Sequence, residues 1–277
     1  MEFPAVMPPG YRLVSLASVG STNTEVMRLA SAGDPGRIWL VADEQLSGRG
    51  RSGRGWTSVP GNLYASLLLR LSCGPMIAPQ LALVAGVAVA RAVAGLLSDI
   101  EYSGMRGRVA EVPDEASQGS RQLRLKWPND VLIGGAKLGG ILLESAQRLG
   151  GPGLVAVVGI GLNVAGVPQG LGRAATSLSD CGVAADRDRV LTHLAAAMDA
   201  ALLQWDEGGG FAQIRAAWET CSGPIGERLS VNSGTGPVAG RYKGLDRDGA
   251  LMLIDDMGET HRFTYGDVTL AAMAREQ

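Results

Sequence analysis

The chain has 277 residues, 46% of them hydrophobic and 19% charged, enough to bury one large core and a smaller one. A formal net charge of −2 and a pI near 5.8 argue against a general nucleic-acid binder, which carries a basic excess. Cys73, Cys181 and Cys221 lie far apart without CxxC spacing, so neither a disulfide framework nor a zinc site is indicated, and a reducing cytoplasm fits best.

The N-terminal MEFPAVMPPG has neither a basic n-region nor an apolar h-region, and Arg91 cuts the apolar stretch LALVAGVAVA before it spans a bilayer, so no export signal and no membrane partner are expected. Tyr11 to Ala17 reads as a short strand, followed by a turn from Ser18 to Thr22 and a helix carrying Val26, Met27, Leu29 and Ala30. Thr22 as N-cap with Glu25 three residues on spells a capping box. Ile38 to Ala42 is a second strand and Leu63 to Leu71 a buried third. Gln80 to Leu97, apolar nearly all round, is a core helix.

From Ser103 to Arg121 the composition turns to Gly, Arg, Glu, Pro and Ser, which reads as a surface excursion. Strands resume at Leu123 to Trp127, Val131 to Ile133, Leu138 to Ser145 and Leu154 to Val164. Asp188 to Trp205 is an amphipathic helix, with Leu191, Leu194, Met198, Leu202 and Trp205 at spacings of three and four, and Phe211 to Thr220 is another. Beyond Ser222-Gly223-Pro224 come short strands at Leu229 to Val231, Val238 to Leu245, Ala250 to Ile254 and His261 to Tyr265. Asp248-Gly249 and Met257-Gly258 supply turns, and the whole suggests a small appended barrel.

The chemistry concentrates in five stretches. GRGRSGRGW at 48 to 56 spells GxGxxG, but Pro60 and Gly61 oppose the helix that a dinucleotide fingerprint must open, and no Gly-Lys-Ser/Thr follows to make a P-loop. What remains is a flexible cationic loop, suited to closing over an anion; a solvated surface turn is the plain alternative. Ser21-Thr22-Asn23 sets hydroxyls at a strand-to-helix corner. Lys126-Trp127-Pro128-Asn129-Asp130 places a lysine and a carboxylate on one rigid turn, as a metal-bound triphosphate requires. Lys137-Leu138-Gly139-Gly140 opens an apolar strand with a lysine that either snorkels to solvent or serves a ligand approaching the glycines. Gly159-Ile160-Gly161-Leu162-Asn163 repeats the glycine theme at the end of another strand.

Taken in order, STN at 21 to 23, EQLSGRGRSGRGW at 44 to 56, GNLY at 61 to 64, KWPNDV at 126 to 131, KLGGIL at 137 to 142 and GIGLNV at 159 to 164 resemble the biotin protein ligases over nearly the whole chain. The resemblance implies an α+β fold: a mixed β-sheet catalytic domain with packed helices over 1–222, and a small SH3-like β-barrel over 223–277. It implies activation of biotin by ATP and Mg2+ to biotinyl-5′-AMP, then transfer to a lysine of a biotin carboxyl carrier domain such as that of acetyl-CoA carboxylase.

By the same resemblance, Ser21, Thr22, Asn23, Gln45, Arg49, Gly50, Arg51, Lys137 and Gly140 serve biotin, with Lys137, Arg51 and Arg49 carrying the catalysis. Trp56, Lys126, Asn129, Asp130 and Asn163 serve ATP, with Asp130 on the metal. Some bacterial members carry a DNA-binding helix-turn-helix; with twenty residues ahead of Ser21, none is expected here, nor is DNA as a partner. A monomer or weak homodimer is the expected state. The alternatives are a lipoate ligase of the same superfamily and a non-enzymatic binder of nucleotide or nucleic acid. The intact arginine loop and KWPND favour biotin, and the binder leaves Lys126, Asp130 and Lys137 unexplained.

Overall fold

The computed structural model describes residues 4–105, 122–147, 153–234 and 236–270. Within them, a seven-stranded sheet runs in the order β1-β2-β3-β7-β6-β5-β4. Its strands are β1 (Arg12–Val19), β2 (Ile38–Gln45), β3 (Leu63–Leu71), β4 (Leu123–Lys126), β5 (Asp130–Ile133), β6 (Ala136–Gln147) and β7 (Leu154–Leu162). β1 and β2 pair in parallel and every other neighbouring pair is antiparallel, so the sheet is mixed. The helices are α1 (Thr22–Ser31), α2 (Gln80–Met105), α3 (Arg187–Trp205) and α4 (Phe211–Thr220).

Strand periodicity decides what each face of the sheet does. Leu63, Ala65, Leu67 and Leu69 of β3, with Ala156, Val158 and Ile160 of β7, join the main core under α2, α3 and α4. The alternate positions face α1. There Leu68, Val155 and Val157 meet Val26 and Ala30 in a second cluster. α1 has ten residues, about 15 Å of helix, and it covers only that end of the face. Past it the same alternation brings up Gly159, Gly161 and Gly140, which become the floor of a cavity.

The start of α1 differs from the expected capping box. Ser21, not Thr22, is the N-cap and makes no side-chain cap hydrogen bond. Glu25 instead pairs with Arg28 at 2.7 Å, because the Thr22 hydroxyl is drawn to Gln45 on the neighbouring strand, 3.0 Å away. α2 continues past the expected Leu97 to Met105. Its 19-residue stretch Gln80–Ser98 is long and apolar enough to cross a membrane by length and composition, contrary to the reading of Arg91 as a cut. Most of that stretch is buried in the core, and Arg91 lies on its outer side, donating to Gln204 Oε1 at 2.8 Å. The excursion read from Ser103 begins within this helix, and residues 106–121 lie outside the described residues.

After α4 come β8 (Arg228–Asn232), β9 (Pro237–Leu245), β10 (Leu251–Ile254), β11 (Thr260–Phe263) and β12 (Asp267–Leu270). They form an antiparallel sheet in the order β11-β10-β9-β8-β12. This corrects the expected barrel, since no ladder joins β11 to β12 among the described residues. Three residues, Thr264 to Gly266, carry the chain between those two edges, a reach of at most about 14 Å, so the sheet curls without closing. It docks on the larger sheet through Arg124, paired with Glu227, and Trp127 Nε1, donating to Gly249 O at 3.2 Å.

Candidate active site

The cavity on the uncovered sheet face has a volume of about 400 Å³. One end is polar and set by the turn from β1 into α1. Gln45 Oε1 accepts from Thr22 N at 2.9 Å and from Thr22 Oγ1 at 3.0 Å. Ser66 Oγ, fully buried, donates to Asn23 Oδ1 at 2.6 Å and lies 2.8 Å from Thr22 Oγ1. Asn23 Nδ2 donates to Glu144 Oε2 at 2.7 Å, and Glu144 also holds Arg49 at 3.1 Å. Gly159 is obligatory here, since a Cβ would collide with the Asn23 amide. The result is a rigid set of buried donors and acceptors that suits a neutral, polar head group.

The GRGRSGRGW stretch forms a hairpin. Arg49 and Gly55 form an antiparallel bridge; Gly50 N donates to Arg54 O at 2.7 Å and Trp56 N to Gly48 O at 2.9 Å. Its tip, Arg51–Gly53, turns through Ser52 at φ 55°. Arg49 reaches Glu144, while Arg51 and Arg54 converge on Asp267 at the start of β12. Arg51 Nη1 donates to Asn129 Oδ1 at 3.1 Å and its Nη2 to Gly266 O at 3.2 Å. Arg54 grips the Asp267 carboxylate at 2.6 and 2.7 Å, so β12, absent from the sequence reading, supplies part of the cavity wall.

The KWPND turn and the first residues of β6 meet across the β5–β6 pairing, which sets Asp130 opposite Gly140. Asp130 contacts Lys137 through one oxygen and lies 3.1 Å from Lys126 through the other. Burial raises the Asp130 carboxyl, but Lys137 and Lys126 outweigh it and hold it below the usual carboxylate range. Burial pulls the Lys137 ammonium below its ordinary value, with Asp130 opposing. Lys137 Nζ also stands 5.6 Å from the centre of the Trp56 ring. That indole lies across Gly161, where a Cβ would come within 2.7 Å of it, and close to Gly140.

This arrangement does not fit Asp130 as a resident metal ligand, because two ammonium groups at its oxygens repel a divalent cation. Asn163 is the one expected site residue that does not line the cavity. It is buried, its amide donating to Thr176 O at 3.0 Å and Lys137 O at 3.4 Å. Beside it, Asn62 Oδ1 takes the N–H groups of Val164, Ala165 and Gly166 at 2.9, 2.9 and 3.2 Å, and its amide donates to Gly166 O at 2.8 Å. Ser66, Glu144, Arg173 and Asp267 belong to the site without having been picked out from the sequence. Ser66 carried a signal, as the polar interruption of LYASLLL on the α1 face.

Among the described residues, no cysteine or histidine lines the cavity. It joins a neutral polar end to a cationic end through Lys137, which defines a site for bringing two anions together, as acid-activating ligases require. The biotin/lipoate A/B protein ligase family matches residues 16–163, and the biotin protein ligase C-terminal domain matches 225–270. A biotin–acetyl-CoA-carboxylase ligase of Paracoccus denitrificans is 38% identical over 86% of this chain and 92% of its own. One of Mycobacterium tuberculosis is 37% identical over 94% and 89%. The biotin protein ligase of Aquifex aeolicus, solved in complex with biotin and ATP, superposes with a TM-score of 0.72 at 27% identity, over 94% of this chain and 99% of that one. The chain belongs to the biotin/lipoate A/B protein ligase family.

Proposed function

We infer that this protein is an ATP-dependent biotin protein ligase that makes biotinyl-5′-AMP and transfers biotin to a lysine of a biotin carboxyl carrier domain. The observation that carries the reading is the placement of Lys137, where the neutral polar end of the cavity meets the cationic end; the relatives named above point the same way.

Ser21, Thr22, Asn23 and Gln45 then hold the ring system of biotin, and Gly140 leaves room for its tail. A carboxylate oxygen attacks the α-phosphorus, and the electron pair of the broken P–O bond leaves with pyrophosphate. Lys137, with Arg49 and Arg51, offsets the charge that gathers there; no side-chain nucleophile takes part. Trp56 packs against the adenine, and Lys126, Asn129 and Arg51 face the phosphates. Magnesium enters as part of the nucleotide substrate, and Asp130 holds the two lysines in place. Asn163 acts from behind, holding the backbone of Lys137. In the second step the acceptor amine attacks the acyl carbon, AMP leaves and the amine loses a proton.

We take the junction between the catalytic region and the C-terminal sheet at residue 222, and assign the reaction to the cytoplasm, which the three free cysteines suit. The test is incubation with ATP, magnesium and either biotin or lipoate, with the adenylates read by mass spectrometry. Biotinyl-adenylate is expected; lipoyl-adenylate without it overturns the reading.

A further inference from the structure

The other cations lining the cavity share three carboxylates, Glu144, Asp267 and Asp130. Arg173 lines the same cavity and has no hydrogen bond or ion pair among the described residues. Its backbone is nonetheless well placed. Two residues on, Ala175 forms a parallel bridge with Lys137, whose N–H donates to Ala174 O at 3.0 Å while Thr176 N donates to Lys137 O at 3.0 Å. The hydrogen bonds that position Lys137 therefore position Arg173. The two are close enough for their charges to repel: after burial, the positive charges of Arg173 and Lys126 help to pull the Lys137 ammonium down. Among the described residues nothing relieves Arg173 of that repulsion; an anion does.

We propose that Arg173 is a phosphate-binding residue that takes hold of the triphosphate of ATP and then of departing pyrophosphate. The proposal rests on the ligase reading above. Depth separates the two anions: the Lys137 side chain is 12% exposed, whereas Arg173 is exposed at the mouth. A single carboxylate has to reach the reaction centre, while the phosphates beyond the α-position extend outward. A planar guanidinium matches their oxygens in pairs and keeps its proton throughout, so it receives the leaving-group charge without proton transfer.

The test compares Arg173→Ala and Arg173→Lys with the wild-type full-length chain in biotin-dependent ATP–pyrophosphate exchange. Arg173→Ala is expected to raise the KM values for ATP and pyrophosphate roughly tenfold or more, with that for biotin moving less than about twofold, and Arg173→Lys to recover part of the loss. Unchanged ATP and pyrophosphate constants overturn the proposal. So does a KM change confined to the acceptor domain, which would turn the guanidinium toward a protein partner. Titration of tryptophan fluorescence with inorganic pyrophosphate and with ATP, biotin being absent, measures the same contact directly. If the wild type exchanges no pyrophosphate with biotin present, the ligase reading fails, and these titrations still decide the role of Arg173.

Discussion

Lys137 is mostly shielded from solvent, paired with Asp130 and set against an indole ring, so little of its position is left to chance. Truncation to alanine removes charge stabilisation from a preorganised site, which costs on the order of a hundredfold or more in rate. Lys137→Ala is expected to keep its circular dichroism spectrum and make adenylate at about that reduced rate in single turnover; a near wild-type rate contradicts the role. The glycines give a sharper separation. A Cβ at Gly159 strikes the Asn23 amide, and one at Gly161 comes within 2.7 Å of the Trp56 ring. Gly159→Ala should raise the KM for biotin while leaving that for ATP nearly unchanged, and Gly161→Ala should do the reverse. Equal effects on both substrates would show that the two ends of the cavity are not assigned as proposed.

The arginine hairpin is held by its own backbone bonds and by contacts of Arg51 and Arg54 with β12 and its preceding glycine. Removing the Arg51 side chain breaks its links to Asn129 and Gly266 together. Arg51→Gly is expected to make adenylate yet let it escape, so that lysines of bystander proteins become biotinylated, and to speed amide exchange across residues 47–56. A variant that exchanges as slowly as wild type and labels no bystander would leave the hairpin a structural turn. At this scale the sequence was legible where its pattern was strong. The bounds read for β3 and α4 coincide with those observed, because a continuous apolar run and an apolar helical stripe each end at clear breaks. β12 escaped notice as four residues behind Gly266, too short for alternation to register. The barrel was inferred from strand count, but closure depends on edge pairing, which strand count does not encode.

Across the whole molecule, acid stability follows from carboxylates that folding holds charged. Burial raises Asp130, Asp34 and Asp246, and in each case neighbouring lysines or arginines and hydrogen-bond donors outweigh it, leaving the folded value below the ordinary 3.8. A depressed carboxyl contributes stability above its unfolded value and loses it as pH falls through the folded one. Urea midpoints should therefore hold steady from neutral pH to about 4 and fall below 3.8; a midpoint unchanged there would contradict the sign. Lys137 acts oppositely: burial lowers its ammonium, so its contribution improves as pH rises from that lowered value toward 10.5. The site was legible in the same uneven way as the fold. GRGRSGRGW, KWPND and KLGG stand out because charge or glycine interrupts apolar chain, whereas Glu144, Arg173 and Asp267 are single polar residues whose meaning arises only when distant segments meet.

The three N–H groups gathered by Asn62 fix one end of the segment that follows β7, and the backbone of Lys137 fixes the other at Ala174 and Thr176. Between these clamps the chain is a span whose length is set by neither end. Doubling such a span costs only about 0.6 kcal/mol of closure entropy. Gln169-Gly170 is thus a permissive graft point, where a short reporter peptide can be spliced beside the reaction chamber while both anchorages stay in register.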